Sequence, residues 1–303
     1  MAPHPRLAVT LGDPRGIGPE VVERALRAAR LAAEITIIGA DEQIEAIPAD
    51  RRIGVGRWSS GTGQATVEAG RLAAQSVERA VQLAREGEVD AVVTGPVHKH
   101  ALHLAGYRYP GLTELLGHLA GDVDVAMMLA ADRLRVVLVT THLALRDVPD
   151  QVTTQRVVRT GRITEAALRQ WWGIARPRLA VCALNTHAGE SGLFGDEDDR
   201  ALRPAAQALG AAGPLPADTV FVRAMKGEFD AVLAPYHDVG MTAVKVAGFG
   251  TGVNVTLGLP FPRTAPDHGT AFDIAGKGLA EPGSMRAALE LAVELARRQV
   301  ARR

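Results

Sequence analysis

The chain has 303 residues, 47% of them apolar and 22% charged, with a formal net charge of zero. That length suits two lobes or one large α/β unit, and the charge balance gives no electrostatic reason to expect nucleic acid or an anionic membrane as a partner. Small molecules and copies of the chain itself are the expected partners. A single cysteine, Cys182, lies inside an apolar run, which excludes a disulfide framework and suits a reducing cytoplasm.

Residues 1–6 lead straight into a strand-like run without a cationic and apolar leader. The longest apolar stretch, 125–145, is interrupted by Asp132, Arg133 and Arg135 and is too charged to span a bilayer. In chain order, strands are expected at 7–11, 35–38, 91–94, 126–129, 136–140, 179–184, 231–234 and 253–257. Helices are expected at 19–33, 64–85, 154–172, 200–209 and 284–303, the first opened by Pro19 and the last capped by Ser284. Strands that alternate with helices point to parallel βαβ units. Residues 48–63, rich in Gly, Ser and Arg, read as a surface loop or short hairpin.

The loops that leave these strands carry the chemistry. GDPRGIGPE (12–20) sets Gly12, Gly16 and Gly18 between a strand and a helix, where backbone can approach a ligand and the helix start favours an anion. Asp41 follows at about the 20-residue distance of a dinucleotide fingerprint, but the glycine spacing is not G-x-G-x-x-G, so an ordinary Rossmann loop is disfavoured. GPVHK (95–99) places His98 and Lys99 at the mouth of the sheet; helix initiation by Pro96 explains it equally well. Only four lysines occur, and Lys99, Lys245 and Lys277 fall in Gly-rich or His-containing loops. Around the stretch 248–252, Lys245, Asn254 and Arg263 offer an ammonium, an amide and a guanidinium suited to a phosphate or carboxylate. The small-residue segment 267–278, with His268, Gly269 and Asp273, looks like a ligand-binding loop.

His142, His187 and His237 each follow an apolar run directly. One histidine near a strand end is more often a hydrogen-bonded loop residue than a ligand. Three in the same context, out of nine in the chain, make convergence on one metal with positions open for substrate oxygens a physical possibility. His4, His100, His103 and His118 lack that context.

Together GDPRGIGPE, GPVHK, TTHLALRD, LNTHAGE, GPLPAD, YHDVG, GFGTGVNVTLGLPFPRT and DHGTAFDIAGKG resemble the 4-hydroxythreonine-4-phosphate dehydrogenase (PdxA) family over about residues 7–288. The opening and final loops are also similar to those of isocitrate and isopropylmalate dehydrogenases. The resemblance implies a three-layer α/β/α fold of that type, two lobes with the active site in the cleft, and a non-Rossmann NAD site with adenosine near the final loop. It implies a first lobe of 1–111 plus 257–303 and a second of 112–256 that carries dimerisation and the metal ligands.

The resemblance further makes His142, His187 and His237 the ligands of one divalent ion (Zn2+, Co2+ or Mg2+), with His237 reaching across a homodimer interface. It makes Thr113, Lys245, Asn254 and Arg263 substrate contacts and Gly12, Gly16, Gly18, His268, Gly269 and Asp273 the NAD or NADP site. Lys99 and Asp238 are the candidate catalytic groups, Asp238 to orient an imidazole or take a proton. The implied reaction is oxidation of the C3 alcohol of a phosphorylated hydroxy acid, 4-phosphohydroxy-L-threonine, with loss of CO2 to give 3-amino-2-oxopropyl phosphate, a step of pyridoxal phosphate biosynthesis.

Two departures from the family pattern stand out. Leu112 replaces a substrate-contacting histidine and cannot hydrogen-bond, and Thr186 replaces the proline before His187. Related enzymes act on 4-phospho-threonate or 4-phospho-erythronate, and a more distant branch on an aromatic cis-dihydrodiol. The cationic set 245, 254 and 263 favours a phosphate. Phosphate acyltransferases share the broad fold without the three histidines, and a non-catalytic metal-dependent binding protein is the remaining alternative.

Overall fold

In this computed structural model residues 4–59, 65–248 and 250–301 are described. Residues 60–63 of the expected surface loop, Gln64 at the expected start of the second helix, Phe249 and the extreme ends of the chain lie outside them. The chain divides into two compact units, Met1–Val123 with Val253–Arg303, and Asp124–Gly252.

The first unit opens with β1 (Arg6–Thr10), α1 (Gly18–Ala28), β2 (Glu34–Gly39), α2 (Asp41–Ile44), β3 (Arg51–Gly54), α3 (Ala65–Arg85), β4 (Ala91–Thr94), α4 (Lys99–Leu104) and α5 (Leu112–Leu119). The second contains β5 (Ala126–Ala131), β6 (Leu134–Leu138), α6 (Val148–Gln151), α7 (Thr154–Gln170), β7 (Leu179–Cys182), α8 (Arg203–Leu209), β8 (Ala212–Leu215), α9 (Ala217–Met225), β9 (Ala231–Ala234) and α10 (His237–Ala247). The chain then returns to the first unit as β10 (Val253–Leu257), β11 (Arg263–Pro266) and α11 (Gly283–Val300).

In the first unit the strands run β3-β2-β1-β4-β11-β10, parallel except where β10 and β11 form an antiparallel pair. Leu7, Ala8 and Val9 are fully buried, as in a strand covered on both faces; each large apolar side chain so buried contributes about 1.5–3 kcal/mol. Helix α3 packs on β1, β2 and β4 and gathers α4 and α5, whereas α1 and α11 pack together and α11 lies along β11 and β4. The second unit orders its strands β5-β6-β9-β7-β8, with β6, β9, β7 and β8 parallel. Cys182 is fully buried in β7, and desolvation, with Asp198 adding to it, pushes its thiol up to about 12.

Local chemistry accounts for the differences from the sequence-based expectation. Strands β5 and β6 form an antiparallel hairpin, not a crossover, because Asp132 takes a left-handed turn at φ 48°. Proline at 262 and 266 hides β11, and its pairing with β10 and β4 makes it a strand. Ser284 does not cap α11: its hydroxyl donates to Asp267 Oδ1 at 2.9 Å and accepts from Asp267 N at 3.0 Å, fastening the start of the final loop. Helix α5, expected in the second lobe, belongs to the first unit and packs on α3.

The glycines of the opening loop are packing residues. A Cβ at Gly12 would meet Pro96 O at 2.2 Å, one at Gly16 would meet Thr270 O at 2.7 Å, and one at Gly18 would meet Leu11 O at 1.9 Å. Gly18→Ala is expected to cost about 2 kcal/mol or more, because main chain must shift to admit the methyl group; urea unfolding of the variant beside wild type measures it.

Candidate functional site

Arg263 is the least expected side chain of the first unit. It is 4% exposed, stands opposite Thr256 in the β10–β11 register, and donates from Nη1 to Thr256 Oγ1 at 3.0 Å and Asn254 Oδ1 at 3.5 Å. Its Nη2 bonds the Thr94 hydroxyl, and its Nε is buried without a partner among the described residues. Every partner is neutral, and desolvation pulls the guanidinium pKa down to about 9. A cation sealed among neutral groups with a spare donor is suited to an arriving anion. Thr94 and Thr256 escaped sequence reasoning because only the sheet register brings them to Arg263.

Three strand-end loops interlock beside it in the same unit. Asp13 N donates to Pro96 O at 2.9 Å, which joins the loops after β1 and β4, and Ile17 N donates to Thr270 O at 2.9 Å, which adds the final loop. Glu20 of α1 accepts from Gly276 N and Ala280 N, both at 3.2 Å, and holds the far end of that loop. Gly12, Gly16 and Gly18 therefore bring these loops together, and their Cβ positions face the chain itself. His268 keeps a buried Nε2 without a partner, while its Nδ1 lies 3.1 Å from Gly269 O. A Cβ at Gly269 would meet open space, and Asp273 is exposed. The orphaned imidazole nitrogen and the open position at Gly269 fit a dinucleotide on this loop. Lys99 opens α4 near Gly111, where a Cβ would lie 4.0 Å from Lys99 Nζ and 3.0 Å from Glu114 Oε2. Leu112 and Thr113 form the first residues of α5, both half-buried.

In the second unit β6, β9 and β7 are adjacent and parallel, so His142, His237 and His187 leave the same end of the sheet. Val139 N donates to Ala234 O at 2.9 Å and Thr140 Oγ1 to Pro235 O at 2.7 Å, zipping the exits of β6 and β9. His142 and His237 consequently have ring centres 5.7 Å apart. Two imidazoles on one tetrahedral dication stand at about 5 Å. His237 Nδ1 lies 2.7 Å from Asp238 Oδ1; a carboxylate can only accept, so the pair leaves the Nε2 lone pair available to a metal.

His187 sits apart from that pair. Its loop root is clasped by buried Asp198, which accepts from Leu184 N at 2.8 Å and Asn185 N at 3.0 Å. Residues 187–191 then run through five consecutive left-handed conformations, with φ from 42° to 80°, a strained course for a chain of L-residues. Among the described residues no group of three or more His, Cys, Asp or Glu side chains is placed to hold a metal ion within one chain. Lys245 is exposed on α10, eight residues after His237.

The model of the pyridoxal phosphate biosynthetic protein PdxA family matches residues 12–292. A 4-hydroxythreonine-4-phosphate dehydrogenase of Geobacter metallireducens is 44% identical over 97% of this chain and 96% of its own. A D-threonate 4-phosphate dehydrogenase of Salmonella typhimurium is 42% identical over 96% of this chain and 98% of its own. The crystal structure of a 4-hydroxythreonine-4-phosphate dehydrogenase of Klebsiella pneumoniae has a TM-score of 0.84 at 39% identity, covering 98% and 99% of the two chains. A β-decarboxylating dehydrogenase of Thermococcus kodakarensis, TM-score 0.51 at 18% identity, shares the fold alone.

Arg263→Met is expected to leave the ligand-free thermal midpoint level or slightly raised, since an apolar chain replaces an unpaired buried cation. The same change should remove the rise in midpoint that inorganic phosphate gives the wild type. Scanning calorimetry with and without phosphate checks both parts.

Proposed function

The chain belongs to the pyridoxal phosphate biosynthetic protein PdxA family, and we propose from that premise that it oxidises the C3 alcohol of a 4-phosphorylated hydroxy acid with NAD or NADP and releases the carboxyl group as CO2. It is an oxidoreductase that acts on a CH–OH group. The observation that carries the substrate class is Arg263, a buried guanidinium whose partners are all neutral and whose Nε is spare. With Asn254 and Thr113 of the same unit it forms the proposed grip on the phosphorylated substrate.

His142, His187 and His237 would hold the divalent ion, which when bound supplies Lewis acidity to the substrate oxygens. The loops that contain Gly12, Gly16, Gly18, His268, Gly269 and Asp273 would hold NAD(P), which when bound supplies a hydride acceptor. Asp238 fixes the tautomer of His237, and Lys99 is the proposed proton carrier near Thr113. A site shared by two copies of the chain is supported by the exposure of Leu143, Leu145, Leu193 and Phe194, at 44%, 69%, 73% and 49%, in the loops that flank His142 and His187. A cytoplasmic location is part of this reading, in keeping with a buried and inert single thiol.

The first reading of the substrate is 4-phosphohydroxy-L-threonine, with 3-amino-2-oxopropyl phosphate as product. D-threonate 4-phosphate is the second, favoured by the Salmonella typhimurium relative and by Leu112, an apolar side chain where the family pattern has a hydrogen-bonding histidine. The wild type and Leu112→His, assayed on both substrates with a divalent metal and each dinucleotide, decide between them. If Leu112 sets the choice, the histidine variant shifts the ratio of kcat/KM values by about tenfold or more toward the amino substrate. Activity that survives chelation counts against the metal.

His187→Ala and His237→Ala are each expected to abolish turnover. If His187 and His237 of one site come from different copies of the chain, mixing the two inactive proteins restores roughly a quarter of wild-type activity, since half the dimers then contain one intact site. No recovery places the three rings in one chain.

A further inference from the structure

His98 is not among the groups assigned above, yet the first unit holds it by a chain of contacts that begins at a buried carboxylate. Asp13 is fully buried after β1 and accepts from Arg15 N at 3.0 Å, Arg15 Nε at 2.9 Å and Arg15 Nη2 at 2.7 Å. Arg15 Nη1 donates to Thr66 Oγ1 at 2.8 Å, and its guanidinium carbon lies 4.8 Å from the centre of the Phe272 ring. With its position fixed on three sides, Arg15 presents Nη2 to His98 Nδ1 at 3.4 Å. His98 also meets the edge or face of Phe272 at 5.1 Å between ring centres, with the rings inclined at 77°. The opening loop, the loop after β4 and the final loop thus each contribute to the seat of one imidazole.

A guanidinium only donates. His98 Nδ1 facing it must therefore accept, and the ring proton is then on Nε2. The arrangement leaves His98 to donate through Nε2, as the third member of a series that runs from Asp13 through Arg15. Such a series has a cost: a buried carboxylate and a stacked arginine are committed to orienting one half-buried ring. A histidine that merely packed against Phe272 would not need them.

We propose that His98, held by Asp13 and Arg15 with its proton on Nε2, donates a hydrogen bond to an acceptor oxygen of the dinucleotide, on the pyrophosphate or the carboxamide. Arg15 is the positioning residue and His98 the contact. This rests on the dehydrogenase reading, because the dinucleotide is assigned to the loops that seat the ring.

Long-range proton–nitrogen NMR spectra of histidine-labelled full-length protein, with His98→Gln used to assign the signal, report the tautomer directly. The expected result is the Nε2–H form in wild type and a mixture of forms in Arg15→Lys, which cannot make the forked contact with Asp13 and reach His98 together. A wild-type ring protonated on Nδ1 overturns the proposal. Calorimetric titration with NAD+ and NADP+ reads the contact: His98→Ala should weaken the preferred dinucleotide about tenfold, and His98→Gln, which keeps a donor, should stay within about threefold. In turnover the loss should appear in KM for the dinucleotide with kcat nearly unchanged. Unaltered affinity in His98→Ala overturns the inference while leaving the dehydrogenase reading intact. Wild-type protein that binds neither dinucleotide removes both.

Discussion

An uncompensated positive charge inside the first unit sets the terms for the chemistry around it. Arg263 lies in the antiparallel pair β10–β11, beside parallel β4, and receives only two threonine hydroxyls and an amide oxygen. Desolvation of a cation by several kcal/mol is offset in most proteins by a carboxylate. Its absence here leaves Arg263 as a buried cation whose charge none of its hydrogen-bond partners cancels. The lowered pKa, near 9, still keeps the group charged at neutrality.

The second unit solves a different problem, the gathering of imidazoles from distant stretches of chain. Parallel pairing of β6, β9 and β7 puts three carboxyl ends side by side, and the hydrogen bonds beyond β6 and β9 carry that proximity out into the loops. His142 and His237 are neighbours as a result. His187 follows a strand of the same set, but its left-handed loop leads it elsewhere. Asp198 holds the root of that loop through Leu184 N and Asn185 N.

Much of this was legible in the sequence, and the exceptions have physical causes. Apolar runs at 91–94, 231–234 and 253–257 fall where β4, β9 and β10 form, because strands buried on both faces need no polar alternation. Strand β11 was not legible, since RTAP has neither apolar continuity nor period and exists through its neighbours. That His142, His187 and His237 follow strands was legible from the apolar runs before them, but the proximity of His142 and His237 within one chain depends on strand order, which no local pattern encodes. The glycines of the opening loop were read as letting backbone approach a ligand; in the structure their Cβ positions face the chain's own main chain at Leu11, Pro96 and Thr270. His98 was read only with Lys99 at the mouth of the sheet and Arg15 was passed over, because their link runs through Asp13 and Phe272, which are far apart in sequence.

The two arginines of the first unit give a criterion for telling a binding cation from a structural one. Arg15 and Arg263 both lie near strand ends and both are conspicuous in a chain that favours arginine over lysine. Arg15 has its charge cancelled by the forked contact with Asp13 and its remaining donors directed to Thr66 and His98, so an incoming anion would find little left to bind. Arg263 has partners that satisfy geometry but not charge, and one donor that is satisfied by nothing. Burial alone does not separate the two. Counting charge and hydrogen-bond capacity at each guanidinium does: Arg263 keeps its charge and one donor uncommitted, and Arg15 has its charge met by Asp13.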